Sequence, residues 1–118
     1  MKLHLFDSEL KVMELIWLHG AISAKELSLL AAKQIGWNKN TTYTIIKKLE
    51  EKGYIDRAEP GFICSPRISR EDVRRFETRE LVNKLFDGSR KALFSALLQD
   101  EELTQEDIDA LRSMIETR

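Results

Sequence analysis

Cysteine is almost absent from this chain: Cys64 is the only one among 118 residues. A single cysteine cannot form an internal disulfide, which fits a reducing cytoplasm better than an oxidising compartment. No apolar run approaches the roughly 20 residues that span a bilayer. No charged N-terminal region followed by an apolar stretch marks an export signal. We therefore expect a cytoplasmic protein with no membrane partner.

Motifs that carry catalytic or metal chemistry are also missing. The sequence has no glycine-rich phosphate loop, no zinc-ligand spacing and no nucleophile paired with a base. His4 and His19 are separated by a predicted helix and lack partner cysteines. A metal site that joins them to Cys64 would need a coincidence of folding. We expect that the protein is not an enzyme and that it binds no metal or other cofactor.

Excess charge is small, with a formal net value of −1, whereas many nucleic-acid binders are far more basic. The two halves nevertheless differ. Residues 1–68 contain ten basic and eight acidic side chains, and residues 69–118 contain nine basic and twelve acidic ones. If the chain contacts DNA, this asymmetry indicates that the contact belongs to the first half.

Start and stop signals predict two helices in the first 35 residues. The first is expected over about Ser8–His19, with Asp7 as its N-cap. Ser23-Ala24-Lys25-Glu26 has the form of a capping box and opens a second helix that extends to about Ile35. The connection Ala21-Ile22 is long enough only for a bridging strand.

A third helix is expected over about Asn38–Lys52, with Asn38 as its cap. It has two contrasting faces when its residues are placed at about 100° per position. The apolar side consists of Thr42, Ile45, Ile46 and Leu49, and the opposite side of Asn40, Tyr43, Thr44, Lys47 and Glu51, with Lys48 at its edge. No carboxylate precedes Glu50. Such a helix can pack on a small domain and enter a DNA major groove. In isolation an ordinary surface helix would fit equally well, so the flanking sequence decides.

Two short strands are expected after Gly53, over Tyr54–Arg57 and Phe62–Ser65. Pro60-Gly61 between them suits a type II turn, because proline presets the first central angle and glycine adopts the positive φ of the second. Three helices followed by a β-hairpin describe a winged helix–turn–helix. We assign it to residues 1–68.

Helix breakers are nearly absent from residues 69–118, where Gly88 is the only glycine and proline does not occur. Three amphipathic helices are expected there: one over about Arg70–Phe86, one capped by Ser89 and one opened by Thr104. About fifty residues bury such stripes poorly alone. We favour pairing with a second copy, and packing back in a monomer is the alternative. The residues expected at the dimer interface are Val73, Phe76, Leu81, Leu85, Leu93, Phe94, Leu97, Ile108, Leu111 and Ile115.

The chain resembles the bacterial penicillinase-repressor family, which includes repressors of β-lactamase, methicillin-resistance and copper-transport genes. Four stretches carry the resemblance: Asp7–Trp17, Ser23–Leu27, Trp37 with Thr41–Leu49 and Lys52-Gly53, and Glu102–Leu111. The resemblance implies an N-terminal winged helix, a C-terminal helical dimerisation region (residues 69–118), and repression by a homodimer on double-stranded operator DNA.

Two features of the family are not matched. Antibiotic-responsive members are cut by a sensor protease at an asparagine–phenylalanine bond, and here the aligned residues are Ala96-Leu97. Copper-responsive members end in a cysteine cluster, whereas this chain ends Glu116-Thr117-Arg118, and Cys64 alone cannot supply the thiolates that hold Cu(I). The inducing signal, and any sensor or protease that delivers it, stay open.

A two-fold dimer of winged helices calls for a pseudo-palindromic operator. We expect the N-terminal half of the third helix to read base edges through Asn40, Tyr43, Thr44 and Lys47. The expected phosphate contacts are Lys39, Thr41 and Lys48, with Arg57 on the wing. A winged helix used as a protein-interaction module, or a ligand- or metal-sensing regulator, is the alternative.

Overall fold

Six helices and three short strands make up residues 3–118, the part of the chain that the computed structural model describes. Their order is α1 (Asp7–His19), β1 (Ile22–Ser23), α2 (Ala24–Gln34), α3 (Lys39–Glu51), β2 (Ile55–Ala58), β3 (Ile63–Pro66), α4 (Arg70–Leu85), α5 (Arg90–Leu98) and α6 (Gln105–Glu116). The expected mostly helical fold with a small hairpin is confirmed. Across the same residues, no helix is both long and apolar enough to cross a membrane.

The chain divides into two compact units, of which the first ends at Glu77 and the second is Thr78–Arg118. The division lies inside α4, whereas the sequence suggested a boundary between residues 68 and 69. The first turns of α4 therefore belong to the winged-helix unit. In the second unit Val82 is buried, while most of the other large apolar side chains are exposed.

The start of α1 differs from the expectation, because Phe6 rather than Asp7 is its N-cap. The backbone N–H of Phe6 donates to Oε1 of Glu9 at 2.9 Å. Asp7 is instead the first helical residue, where its carboxylate faces the positive end of the helix dipole. A phenylalanine side chain cannot accept a hydrogen bond, so Glu9 supplies the capping interaction alone.

The starts of α2 and α3 agree with the sequence. Ser23 Oγ accepts the backbone N–H of Glu26 at 3.1 Å. Asn38 Oδ1 accepts the backbone N–H of Thr41 at 2.8 Å. Each side chain satisfies an amide that has no partner within its helix. Both N-caps are confirmed, and they fix where each helix begins.

The apolar face of α3 is the centre of the first unit's core. The side chains of Thr42, Ile46 and Leu49 are fully buried, and Ile45 is nearly so. They pack with Val12, Met13 and Ile16 of α1, with Leu27 of α2, and with Ile55 and Cys64 of the sheet. Burying one such aliphatic side chain stabilises the fold by about 1.5–3 kcal/mol, whereas helix propensities differ by a few tenths. Tertiary packing therefore decides which face of α3 points outward.

The three strands form one antiparallel sheet in the order β1-β3-β2. Ala58 pairs with Ile63, so the hairpin loop contains four residues, 59–62. Both strands begin and end one residue later than expected. Gly61 adopts the positive φ expected of it, Phe62 has a positive φ as well, and the Glu59–Pro60 bond is cis. The Glu59 carboxylate accepts the N–H of Phe62 at 3.2 Å, which closes the loop.

A buried ion pair joins the start of α1 to the end of α3. Lys52 Nζ lies 2.7 Å from Oε1 of Glu9, whose side chain is only 2% exposed. The ammonium group also lies 4.8 Å from the ring centroid of Phe6 and 5.9 Å from that of Tyr54. Because the Glu9 carboxylate is shielded from water, a nearby ammonium group offsets the cost of its burial. The pair fixes the C-terminal end of α3 on α1.

A second set of contacts holds the beginning of α4 against α1. Trp17 Nε1 donates to the carbonyl oxygen of Ile68 at 2.9 Å. Arg70 Nη2 donates to Oε2 of Glu14 at 2.6 Å, and its guanidinium carbon lies 5.3 Å from the Trp17 ring centroid. Val73, one turn further, is buried in the same core. The chain after the hairpin thus remains packed on the winged helix through the first turn of α4.

We expect Lys52→Met to lower the free energy of unfolding by about 2–3 kcal/mol, because Glu9 would keep a buried charge without its partner. The measurement is urea denaturation followed by circular dichroism. Lys48→Met is the control: it removes an exposed lysine one turn earlier and should cost less than about 0.5 kcal/mol. Glu9→Gln combined with Lys52→Met should recover part of the loss. Equal stability of the Lys52 and Lys48 variants would contradict this role.

Candidate nucleic-acid interface

The outer face of α3 presents polar and basic side chains on a helix whose other face is fixed. Asn40, Thr44 and Lys47 are exposed, as the sequence predicts. The expected phosphate contacts on α3, Lys39, Thr41 and Lys48, are exposed as well. The structure therefore brings six of the eight predicted DNA-contacting residues to one open surface.

Before the last turn of α3, which contains Glu50 and Glu51, the charge on this surface is of one sign. The first turn of α3 contains no acidic residue, so nothing offsets the partial positive charge at its N-terminus. Across residues 3–118, Lys47 and Lys48 take part in none of the ion pairs. Two free ammonium groups and a helix N-terminus suit an anionic partner.

Two threonine hydroxyls on α3 are already occupied by the backbone. Thr44 Oγ1 donates to the carbonyl oxygen of Asn40 at 2.8 Å. Thr42 Oγ1 lies 3.4 Å from the carbonyl oxygen of Asn38. Because the Thr44 proton is committed, that side chain offers its methyl group and oxygen lone pairs to the outside. A methyl–methyl contact with thymine is the base contact that this geometry favours.

Tyr43 is placed differently from the other base-edge candidates. Its side chain is half-buried and packs partly on the core. The ring meets that of Phe62 edge to face, with the centroids 6.0 Å apart. Lys39 Nζ lies 5.7 Å from the centroid of the Tyr43 ring. Tyr43 therefore bridges the helix and the wing, and only its outer edge remains available.

Arg57 lies on β2, with its guanidinium over an aromatic ring. The guanidinium carbon is 3.6 Å from the centroid of Phe62. Arg57 Nε donates to Oε1 of Glu59 at 2.6 Å. The side-chain hydrogen bond from Arg57 is the main reason that the pKa of Glu59 is lowered, and the backbone N–H of Phe62 adds to it. Sequence reasoning chose Arg57 but missed both partners, because only the four-residue loop brings them together.

Cys64 and the histidines do not form a ligand site. Cys64 is buried on β3, and burial raises the pKa of its thiol from 9.0 to about 11. His4 lies 3.1 Å from Oε1 of Glu77. Within residues 3–118, no group of three or more histidine, cysteine or acidic side chains is arranged to hold a metal ion.

The apolar residues expected at a dimer interface have very different exposures. Val73 is buried in the core of the first unit, so its burial needs no second copy. Phe76, Leu93, Ile108 and Leu111 are half-buried. Those that are exposed are Leu81, Leu85, Phe94, Leu97 and Ile115. The exposed set belongs to the second unit.

A shallow apolar groove of about 260 Å³ occurs in the second unit. Its lining residues are Leu98, Ile108, Leu111, Arg112, Ile115 and Glu116. Leu98 is 60% exposed and Ile115 is 67% exposed. Burying apolar area of this kind is favourable, so the groove is a surface that gains from a partner.

A family model described as penicillinase repressor matches residues 5–117. A penicillinase repressor of Bacillus licheniformis is 27% identical over 112 residues, which covers 93% of this chain and 88% of the relative. The methicillin resistance regulatory protein MecI of Staphylococcus aureus strain N315 is 27% identical over 111 residues, covering 92% and 90%.

Two solved structures resemble part of this chain. The DNA-binding domain of the repressor BlaI, a solution structure, has a TM-score of 0.56 and 30% identity, and the match covers 61% of this chain and 90% of that one. Bacillus licheniformis BlaI in its monomeric form, in complex with the blaP half-operator, has a TM-score of 0.53 and 31% identity. That match covers 58% of this chain and 87% of that chain.

We expect Cys64 to react slowly with iodoacetamide in the folded protein, because the raised thiol pKa leaves almost no thiolate at pH 8 and the side chain is inaccessible. The rate should rise by orders of magnitude in 6 M guanidinium chloride. Mass spectrometry of quenched samples measures both rates. Rapid labelling of the folded protein at pH 8 would contradict the burial described here.

Proposed function

Because the chain belongs to the penicillinase repressor family, we propose that it is a transcriptional repressor that binds operator DNA as a homodimer, with α3 in the major groove. The observation that carries the proposal is the composition of α3. Its apolar face is buried in the core, and its outer face exposes amide, hydroxyl and ammonium groups, with no carboxylate before the last turn. Family membership also favours a DNA-binding regulator over an enzyme.

The proposed contacts follow from where each side chain lies. Asn40, Thr44 and Lys47 project from the first two and a half turns of α3 and would face base edges. Asparagine can bond adenine bidentately, and lysine can reach the acceptors of guanine. Tyr43 would contribute its outer edge. The flanking Lys39, Thr41 and Lys48, with Arg57 of the wing, would bind phosphate oxygens and fix the register of the protein. The BlaI structure in complex with a half-operator, whose match to this chain reaches 31% identity, supports operator binding by this chain.

Homodimerisation is proposed through the second unit, Thr78–Arg118. Its exposed leucines, phenylalanine and isoleucine exceed what scattered surface residues usually present. In a two-fold symmetric pair of such units, the apolar stripes of one copy would be buried against the same stripes of the other. Two winged helices joined in this way call for a pseudo-palindromic operator with half-sites about one DNA turn apart or a multiple of it. The protein would act in the cytoplasm, where its operator lies.

Control of DNA release is also proposed to act through the second unit, whichever sensor or protease delivers the signal. Few cations face DNA in each protomer, so one half-site should bind weakly. Joining two half-sites makes the second contact intramolecular. Any event that separates the paired units would therefore release the operator.

Footprinting on the upstream region of the chain's own operon is the direct test. The proposal expects a protected segment with two-fold related half-sites and strong dependence on salt. Equal affinity for that region and for unrelated duplexes would overturn it. A winged helix that serves as a protein-interaction module would give that second result.

Lys47→Ala should weaken operator binding by about fivefold to a hundredfold per half-site, because a base or phosphate contact on α3 is worth about 1–3 kcal/mol. Fluorescence anisotropy with a labelled duplex measures the change. Lys91→Ala is the matched control, since it removes an equally charged, exposed lysine from α5. If Lys91→Ala weakened operator binding more than Lys47→Ala did, the DNA interface would lie elsewhere.

Leu111→Asp should abolish stable pairing and reduce operator binding together, because it puts a charge into the apolar groove of the second unit. Sedimentation velocity gives the oligomeric state. Ala110→Asp adds the same charge at the neighbouring exposed position of α6 and should leave the dimer intact. A Leu111→Asp protein that stays dimeric would show that the second unit pairs through another surface.

A further inference from the structure

The arginine of the wing is held more firmly than an exposed cation normally is. The central carbon of its guanidinium lies over the ring of Phe62, 3.6 Å from the ring centroid. At the same time its Nε donates to Glu59 at 2.6 Å. An arginine side chain on a surface usually samples many rotamers. Arg57 makes two contacts of different kinds, one with the aromatic ring and one hydrogen bond through Nε. Together they remove most of its rotamer freedom.

Glu59 holds both members of the stack with its two oxygens. Oε1 accepts from Arg57 and Oε2 accepts the backbone N–H of Phe62 at 3.2 Å. The carboxylate therefore fixes the loop that places the ring and also the guanidinium that rests on it. Phe62 has a φ of 49°, a backbone conformation that bulky residues rarely adopt. Such outliers cluster at functional sites.

The Arg57–Phe62 stack also contacts α3. Phe62 meets Tyr43 of α3 edge to face at 6.0 Å and packs on the core. Rings of Tyr43 and Phe62 thus connect the first half of α3 with the wing. An arginine held on this support keeps a fixed distance from the face that Asn40 and Lys47 share.

The two terminal nitrogens of Arg57 are left for a ligand. Within residues 3–118, its only hydrogen bond and ion pair use Nε with Glu59. The terminal nitrogens form the planar fork that matches two oxygens of a phosphate. A lysine would offer a point charge without the fork or the flat stack.

We propose that Phe62 and Glu59 are positioning residues that hold Arg57 as a preorganised ligand for a backbone phosphate next to the site of α3. This inference rests on the proposed function, since the phosphate is that of operator DNA. Neither positioning residue touches the DNA in this arrangement. Each acts by lowering the rotamer freedom that Arg57 would otherwise lose on binding.

The test is a double-mutant cycle on a two-half-site operator duplex, with full-length protein and fluorescence anisotropy. Phe62→Leu should weaken binding about threefold per half-site, the size of one exposed cation–π contact. The same substitution made in an Arg57→Gln background should have no further effect. If Phe62 supports only Tyr43 or the core, both backgrounds will lose the same factor, and the proposal is overturned.

Phe62→Tyr is the conservative control, because it keeps the ring under the guanidinium. It should bind like the unaltered protein, and thermal melts of all variants show whether the fold is retained. Weak binding by a well-folded Phe62→Tyr protein would count against a platform role.

Glu59→Ala distinguishes two possible roles of Glu59, which are positioning Arg57 and repelling DNA through its negative charge. In the presence of Arg57 it should weaken binding, although it removes a negative charge from the DNA-facing wing. In the Arg57→Gln background it should leave binding unchanged or tighten it. Asp56→Asn is the matched control, because Asp56 pairs with Arg67 at 3.5 Å on the same hairpin without an aromatic ring. It should not weaken binding. If Glu59→Ala tightens binding in both backgrounds, Glu59 only repels DNA.

Failure of this inference and failure of the proposed function give different results. If the unaltered protein does not prefer the operator duplex, or Lys47→Ala has no effect, the proposed function fails. If the operator is bound through Lys47 but the Phe62 and Arg57 substitutions are additive, only the positioning role is wrong.

Discussion

Burial of one face of α3 is the constraint on which the remaining structure depends. Thr42, Ile46 and Leu49 are shut off from solvent, so the rotation of the helix about its axis is fixed. The Asn38 cap sets where it begins, and the Lys52–Glu9 ion pair attaches its end to α1. With both ends and one face held, the polar face has a single possible direction. A surface that recognises a rigid partner such as a duplex needs that fixed direction more than it needs additional contacts.

Local signals in the sequence were sufficient for the helices but not for the contacts between distant segments. Asn38 and Ser23 cap the helices as predicted, since a capping residue and its target amide are three positions apart. The Glu9–Lys52 pair joins residues 43 positions apart, and no periodicity reveals such a pair. Both hairpin strands lie one residue later than expected, because Pro60-Gly61 marks a turn without fixing which residues pair beside it.

The candidate site was predictable to the extent that it lies on one helix. Angular position alone placed Asn40, Thr44 and Lys47 on the exposed face. Tyr43 is less exposed than its angular position predicts, because the ring of Phe62, in the loop before β3, packs against it. That contact exists only in the folded hairpin. The burial of Val73 in the core was missed for a similar reason. An apolar stripe on a helix does not show which of its residues pack in the core of their own unit. Sequence patterns give the face of a helix, whereas the partner of that face is set by tertiary structure.

Scarcity of free cations explains why the arrangement of the wing matters. Lys52 is committed to Glu9 and Arg57 shares its charge with Glu59, so each protomer offers DNA only a few ammonium groups. Sequence-independent attraction grows with the number of phosphates neutralised, and a protein with few such contacts gains little affinity from it. The remaining routes to affinity are pairing of two half-sites and reduction of the entropy lost by each contact. In the arrangement that we propose, the exposed stripes of the second unit would serve the first route, and an Arg57 held on Phe62 would serve the second.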